Sequence, residues 1–161
     1  MTVIIRPPVP RDAEQVAGVH VRGWRDAYSH LLSARFYDEG ALQRRITQWR
    51  RIIDDADPAQ TVRVAEVDGT VVGFAFAGPA AGEDAAREEE LYAIYVDTER
   101  HGTGVGQGLL DAALAGRPAQ LWVVTDNSRA QAFYRRNGFR ADGAVKVEQH
   151  LDDLTDIRMV R

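Results

Sequence analysis

Apolar and polar residues recur with two periods along this chain, and the switches between them mark its elements. Thr2–Arg6 is a short apolar run halted by Pro7 and Pro8, which reads as an edge strand. Arg11–Val21 places Ala13, Val16, Ala17 and His20 on one helical face, and Leu42–Ile53 does the same with Leu42, Ile46, Trp49 and Ile53 before Asp57-Pro58 ends it. The period then falls to two. Thr61–Val67 and Thr70–Ala77 flank Asp68-Gly69, a strong hairpin signal. Gly78–Arg87 reads as a loop and Glu89–Val96 as a strand, with residues 90, 92, 94 and 96 expected on one face. Gly104–Ala115 is a helix closed by Gly116, and Ala119–Val124 a strand. Asn127–Arg136 is a helix capped by Gly138, and Ala141–His150 and Asp156–Val160 are closing strands. The order β-α-α-β-β-β-α-β-α-β-β gives an α/β (α+β) fold class, and 161 residues suffice for one domain, read as 1–161.

The segment most open to chemical reading joins the strand Glu89–Val96 to the helix that follows. Strand, glycine-rich turn and helix N-terminus in that order make a phosphate cradle: glycines let backbone N–H groups approach an anion, and the helix dipole favours its charge. The glycines fall at 102, 104, 106 and 108, so the third position of a dinucleotide fingerprint would be Gln107 or Leu109, and that fingerprint fails. A P-loop needs a lysine at its end, and the one lysine, Lys146, is far away. Further on, Asn127 and Tyr134 are seven residues apart, close to two helical turns, so both point from one face with Ala130 between them. A tyrosine, with an ordinary pKa of about 10, can serve as a general acid. On packing grounds alone, Asn127 could be a helix cap and Tyr134 a partner of Phe133.

Composition narrows the field. Hydrophobic residues make up 45% and charged residues 27%, as in ordinary soluble globular chains. A net charge of −4 argues against a nucleic-acid partner. No apolar run is long enough for a membrane span, and Met-Thr-Val-Ile-Ile-Arg-Pro-Pro has no secretory apolar region, so a cytoplasmic location is expected. The lack of cysteine removes disulfides, thiolate zinc sites and the commonest nucleophile for thioester chemistry. His20, His30, His101 and His150 are scattered without ligand spacing, so no metal site is expected, and no Gly-x-Ser-x-Gly elbow is present.

His101-Gly-Thr-Gly-Val-Gly106 resembles the pyrophosphate signature of the GNAT superfamily of acyl-CoA-dependent N-acyltransferases, Gln/Arg-x-x-Gly-x-Gly/Ala. Gly104 and Gly106 fit it, and His101 stands where Gln or Arg is usual. Asn127, Ala130, Phe133, Tyr134, Gly138 and Phe139 match the family's later pattern, Asn-x-x-Ala-x-x-Phe-Tyr-x-x-x-Gly-Phe. The resemblance implies a mixed, mostly antiparallel seven-stranded sheet with helices on both faces. Its fourth and fifth strands are splayed and hold the pantetheine arm of acetyl-CoA between them.

The resemblance also implies roles. His101, Gly102, Thr103, Gly104, Val105 and Gly106 would face the pyrophosphate, with His101 offering an N–H. The main chain of Ile94, Tyr95 and Val96 would pair with the pantetheine, and Asn127, Ala130 and Tyr134 would contact the cofactor arm. Tyr134 would be the general acid. Glu90, eleven residues before His101, would be the base, with Glu89 or a water as alternatives. Trp24, Tyr28 and Glu89 would meet the acceptor, with Trp49 and Asp26 as further candidates in that region. The activity implied is acetyl transfer from acetyl-CoA to a primary amine of a small molecule or peptide, by direct attack in a ternary complex. The rival reading is a non-catalytic acyl-CoA sensor with the same fold, and a longer acyl donor is a third. The oligomeric state stays open in the sequence, and a homodimer is suggested only by analogy with family members that are dimers.

Overall fold

The sheet grows outward from the Asp68-Gly69 turn, where both residues take the left-handed conformation (φ 50° and 80°) that a tight hairpin needs. In the computed structural model, which describes residues 1–161, β2 (Thr61–Val67) and β3 (Thr70–Pro79) leave this turn antiparallel. With β1 (Val3–Arg6), β4 (Glu89–Val96), β5 (Gln120–Val124), β6 (Arg140–Glu148) and β7 (Leu154–Val160) they form one open seven-stranded sheet in the order β1-β2-β3-β4-β5-β7-β6. Every pairing is antiparallel except β4–β5. That parallel pair is joined only at Glu90–Gln120 and Leu91–Leu121. Beyond these residues the two strands diverge, and the sheet opens in a V towards their C-terminal ends.

Helices cover both faces. α1 (Ala13–Tyr28) and α2 (Glu39–Asp54) enclose a core of Ala13, Val16, Ala17, Val19, Trp49 and Phe74. α3 (Val105–Leu114) and α4 (Ser128–Arg136) enclose the larger core on the opposite face, centred on Leu109, Leu110, Leu114, Leu121 and Phe139. α2 begins at Asp38, whose side chain accepts the Ala41 N–H at 2.8 Å. α1 runs well past the expected end at Val21. Trp24 and Tyr28 continue the row begun by His20 at four-residue spacing, and their rings meet edge-on (6.1 Å from His20 to Trp24, 6.0 Å from Trp24 to Tyr28). The helix can lie close on β4 because Gly23 has no side chain: a Cβ there would stand 2.5 Å from a ring carbon of Tyr95.

One expectation about β4 does not hold. The β3–β4 register shifts between Phe76 and Ala77, which pair with Ala93 and Leu91, so Tyr92 is an extra residue in the strand. The bulge inverts the alternation. Leu91, Ile94 and Val96 face the α3/α4 core, whereas Ala93 and Tyr95 face the α1/α2 core. Residues 90, 92, 94 and 96 therefore do not share a face. At the far edge of the sheet, the Arg6 guanidinium holds Asp12 (2.7 Å) and Glu66 (2.6 Å) together, tying β1 and β2 to the turn before α1. No helix is long and apolar enough to cross a membrane.

Candidate functional site

A cavity of about 620 Å³ opens where β4 and β5 diverge, bounded by the end of β4, the turn into α3, α4 and the middle of α1. Its phosphate-facing end is the glycine turn. Gly102 (φ 75°) and Gly104 (φ 88°) are left-handed, a conformation in which any other residue is strained. A side chain at either would meet only open space, so conformation rather than crowding requires glycine there. The backbone N–H groups from Gly102 to Gln107 have no protein acceptor, and the first bond of the turn is Gly108 N–H to Gly104 O at 3.0 Å. Free donors at the start of α3 make an anion site.

The arginines around this turn escaped the sequence reading. Arg100, Arg129 and Arg136 all line the cavity. Arg129 donates to Nδ1 of His101, which leaves the ring proton on Nε2, and Nε2–H donates to the Val96 carbonyl at 2.8 Å. The expected free N–H of His101 is thus absent, because both ring nitrogens are engaged. What His101 presents to the cradle is the cation of Arg129. The only signal for Arg129 in the sequence was its place in the first turn after the Asn127 cap.

Three tyrosines meet deeper in the V. The Tyr28 hydroxyl accepts from Asn127 Nδ2 at 3.1 Å, while Asn127 Oδ1 accepts the Ala130 N–H at 3.1 Å and so caps α4. Burial raises the Tyr28 hydroxyl, and the Asn127 bond only partly offsets this. Tyr95 is pushed well above the ordinary phenol range by burial, reinforced by Tyr28 and Tyr134. Tyr134 is likewise raised by burial and then by Tyr28. All three are neutral donors across the physiological range. Tyr134 packs its ring against Phe133 and Phe139 (5.5 and 5.9 Å), and its hydroxyl borders the cavity without a protein partner.

The structure gathers Ile94, Tyr95, Val96, His101, Gly102, Gly104, Gly106, Asn127, Ala130 and Tyr134 around this one cavity. Thr103 and Val105 reach it only through the backbone: the Thr103 hydroxyl turns to the Arg100 carbonyl, and the Val105 side chain is in the core. Asp26 stands at the mouth and accepts from the Thr98 hydroxyl at 3.0 Å. Trp24 lies outside, half-buried against Tyr28 and Phe36 with the Arg45 guanidinium 5.0 Å above its ring. Trp49 is a core residue whose indole N–H donates to His20 Nδ1 at 3.1 Å. Glu90 sits at the closed, paired start of β4 and accepts from Gln120 Nε2 at 2.7 Å. Burial raises its carboxyl despite that bond. Glu89 is ion-paired with Arg117 at 3.0 Å. No group of three or more His, Asp or Glu residues is placed to hold a metal ion.

Comparison with known proteins places this geometry. A family model described as an acetyltransferase (GNAT) domain matches residues 58–141, from β2 to the start of β6. Mycothiol acetyltransferase of Propionibacterium freudenreichii is 31% identical over 143 residues, 81% of this chain, and this chain spans only 46% of that relative's length. The probable N-acetyltransferase Rv2775 of Mycobacterium tuberculosis is 29% identical, with 86% of this chain and 80% of the relative covered. Among solved structures, a PaiA N-acetyltransferase from Thermoplasma acidophilum in complex with coenzyme A shares the fold (TM-score 0.70, 23% identity, 100% and 99% of the two chains covered). With the glycine turn, the splayed strands and the tyrosine cluster all in one cleft, the chain belongs to the GNAT family of acetyltransferases.

Proposed function

We propose that the protein transfers an acetyl group from acetyl-CoA to a primary amine of a small molecule or peptide, by direct attack in a ternary complex. The observation that carries this reading is the Tyr134 hydroxyl, a neutral donor that borders the cavity with no partner of its own. Acetyl-CoA supplies the activated acyl carbon and a thiolate leaving group. The N–H groups from Gly102 to Gln107, with Arg129 and Arg136 beside them, suit its diphosphate. The edge of Ile94 to Val96 left by the departure of β5, apart from the Val96 carbonyl held by His101, suits the amides of its arm.

Tyr134 donates its proton towards the leaving sulfur. Burial holds that proton on tyrosine, and it equally raises the basicity of a thiolate formed beside it, so donor and acceptor stay matched. Glu90, at the closed start of β4 and outside the cavity lining, accepts the proton that the acceptor ammonium must lose through a chain of waters rather than by direct contact. Its raised carboxyl makes it a better base than an exposed glutamate. Glu89 is occupied by Arg117, which favours Glu90, or a water in its place, as the base.

Calorimetric titration with acetyl-CoA, CoA and a longer acyl-CoA identifies the donor, and an amine screen read by CoA release identifies turnover. Tyr134→Phe is expected to lower kcat by about 100-fold or more, while the acetyl-CoA Kd stays within about twofold. Unchanged kcat removes Tyr134 as the acid, and failure to bind any of the three thioesters or thiols removes the enzyme reading.

A further inference from the structure

Carboxylates shielded from solvent in this protein are all held by a partner, with one exception. Asp12 and Glu66 share Arg6, Asp97 pairs with Arg22, Glu89 with Arg117, Glu148 with Lys146, and Glu90 is bound by Gln120. Asp156 on β7 is half-buried and receives neither a hydrogen bond nor an ion pair. Its position is informative. It lies directly across from Val124, at the C-terminal end of β5 where the V is open, and directly across from Lys146 on β6.

Lys146 does not take it. The Lys146 ammonium is 2.9 Å from Glu148 and 4.5 Å above the Trp122 ring. Val124 belongs to a small apolar cluster with Tyr28, Leu32 and Leu154, so Asp156 stands on the α1 side of the sheet, framed by apolar surface and next to the tyrosine bound by Asn127. The charged groups that act on it are Lys146 and Glu148, it in turn raises the neutral Tyr28 hydroxyl, and burial outweighs the nearby lysine in raising its own carboxyl. An unpaired carboxylate in such surroundings is costly unless a cation completes it.

We propose that Asp156 receives the ammonium of the acceptor, which is therefore a cationic amine carried on an apolar body. The inference names the acceptor side of the acetyl transfer proposed above and rests on that reading for its purpose. The contact itself can be tested without turnover. Phenethylammonium is the probe and phenethyl alcohol its uncharged counterpart, added to protein carrying carboxyl-¹³C aspartate. The Asp156 resonance, assigned by its loss in Asp156→Asn, is expected to shift saturably with the ammonium and not with the alcohol.

By calorimetry, Asp156→Asn should weaken phenethylammonium binding by about tenfold or more, and Asp156→Glu should restore part of it. Both variants should bind acetyl-CoA as the wild type does. An Asp156 resonance unmoved by the ammonium, or equal affinity in Asp156→Asn, overturns the proposal. A wild type that binds the probe through Asp156 but not acetyl-CoA overturns acetyl transfer and leaves the contact standing.

Discussion

Glu90, the proposed base, shows how one side chain's surroundings would set a measurable property of the whole reaction. Its carboxyl is raised by burial, with Gln120 and Lys146 pulling it part of the way back. A base acts only when deprotonated, so kcat/KM should climb with pH through a midpoint above the ordinary glutamate value of 4.5. Glu90→Gln should flatten that acid limb, and a pH–rate profile of the two proteins with the same acceptor checks it. An identical limb in the variant would assign the titration elsewhere. Positions that depend on type and spacing were readable from sequence: the glycine turn at Gly104 and Gly106, the Asn127 cap and the place of Tyr134 at the cavity. Residues whose role depends on what is not beside them were not. Asp156 reads as one polar position in an alternating strand, and only the register that turns Lys146 towards Glu148 leaves it alone. His101 reads as a donor, and only the fold brings Arg129 to its second nitrogen.

At the scale of elements, periodicity located all seven strands and four helices, because each strand or helix buries one face against a core. It missed what a neighbour dictates. The end of α1 depends on Trp24 packing against Tyr28 and Phe36 and on Tyr28 reaching Asn127, and the bulge at Tyr92 depends on the pairing of Phe76 and Ala77. The joint between elements at the sheet edge is similarly hidden in sequence, since Arg6 and Glu66 are sixty residues apart. Arg6→Met should destabilise the fold by about 2 kcal/mol, because Asp12 (2% exposed) would be left buried without its cation. Denaturant unfolding checks this. The double variant Arg6→Met, Asp12→Leu should recover much of the loss if the orphaned charge is the cause, and none if the methionine simply packs badly.

For the molecule as a whole, ligand binding and stability are one quantity. A ligand that binds only the folded protein stabilises it by about 2.7 kcal/mol at a hundredfold excess over Kd, so acetyl-CoA should raise the denaturant midpoint accordingly. A midpoint indifferent to acetyl-CoA would contradict binding in the V. The same V has a consequence for how the protein holds itself together. Two residue pairs, Glu90–Gln120 and Leu91–Leu121, are all that stitch the four-stranded half of the sheet to the three-stranded half. Beyond that stitch, β4 and β5 carry the bare N–H and C=O groups that elsewhere draw strands of separate chains into one another. The seam proposed to admit the arm of a cosubstrate is equally open to an extended segment from a neighbouring copy, so acetyl-CoA is expected to lower self-association, which light scattering with and without the ligand checks.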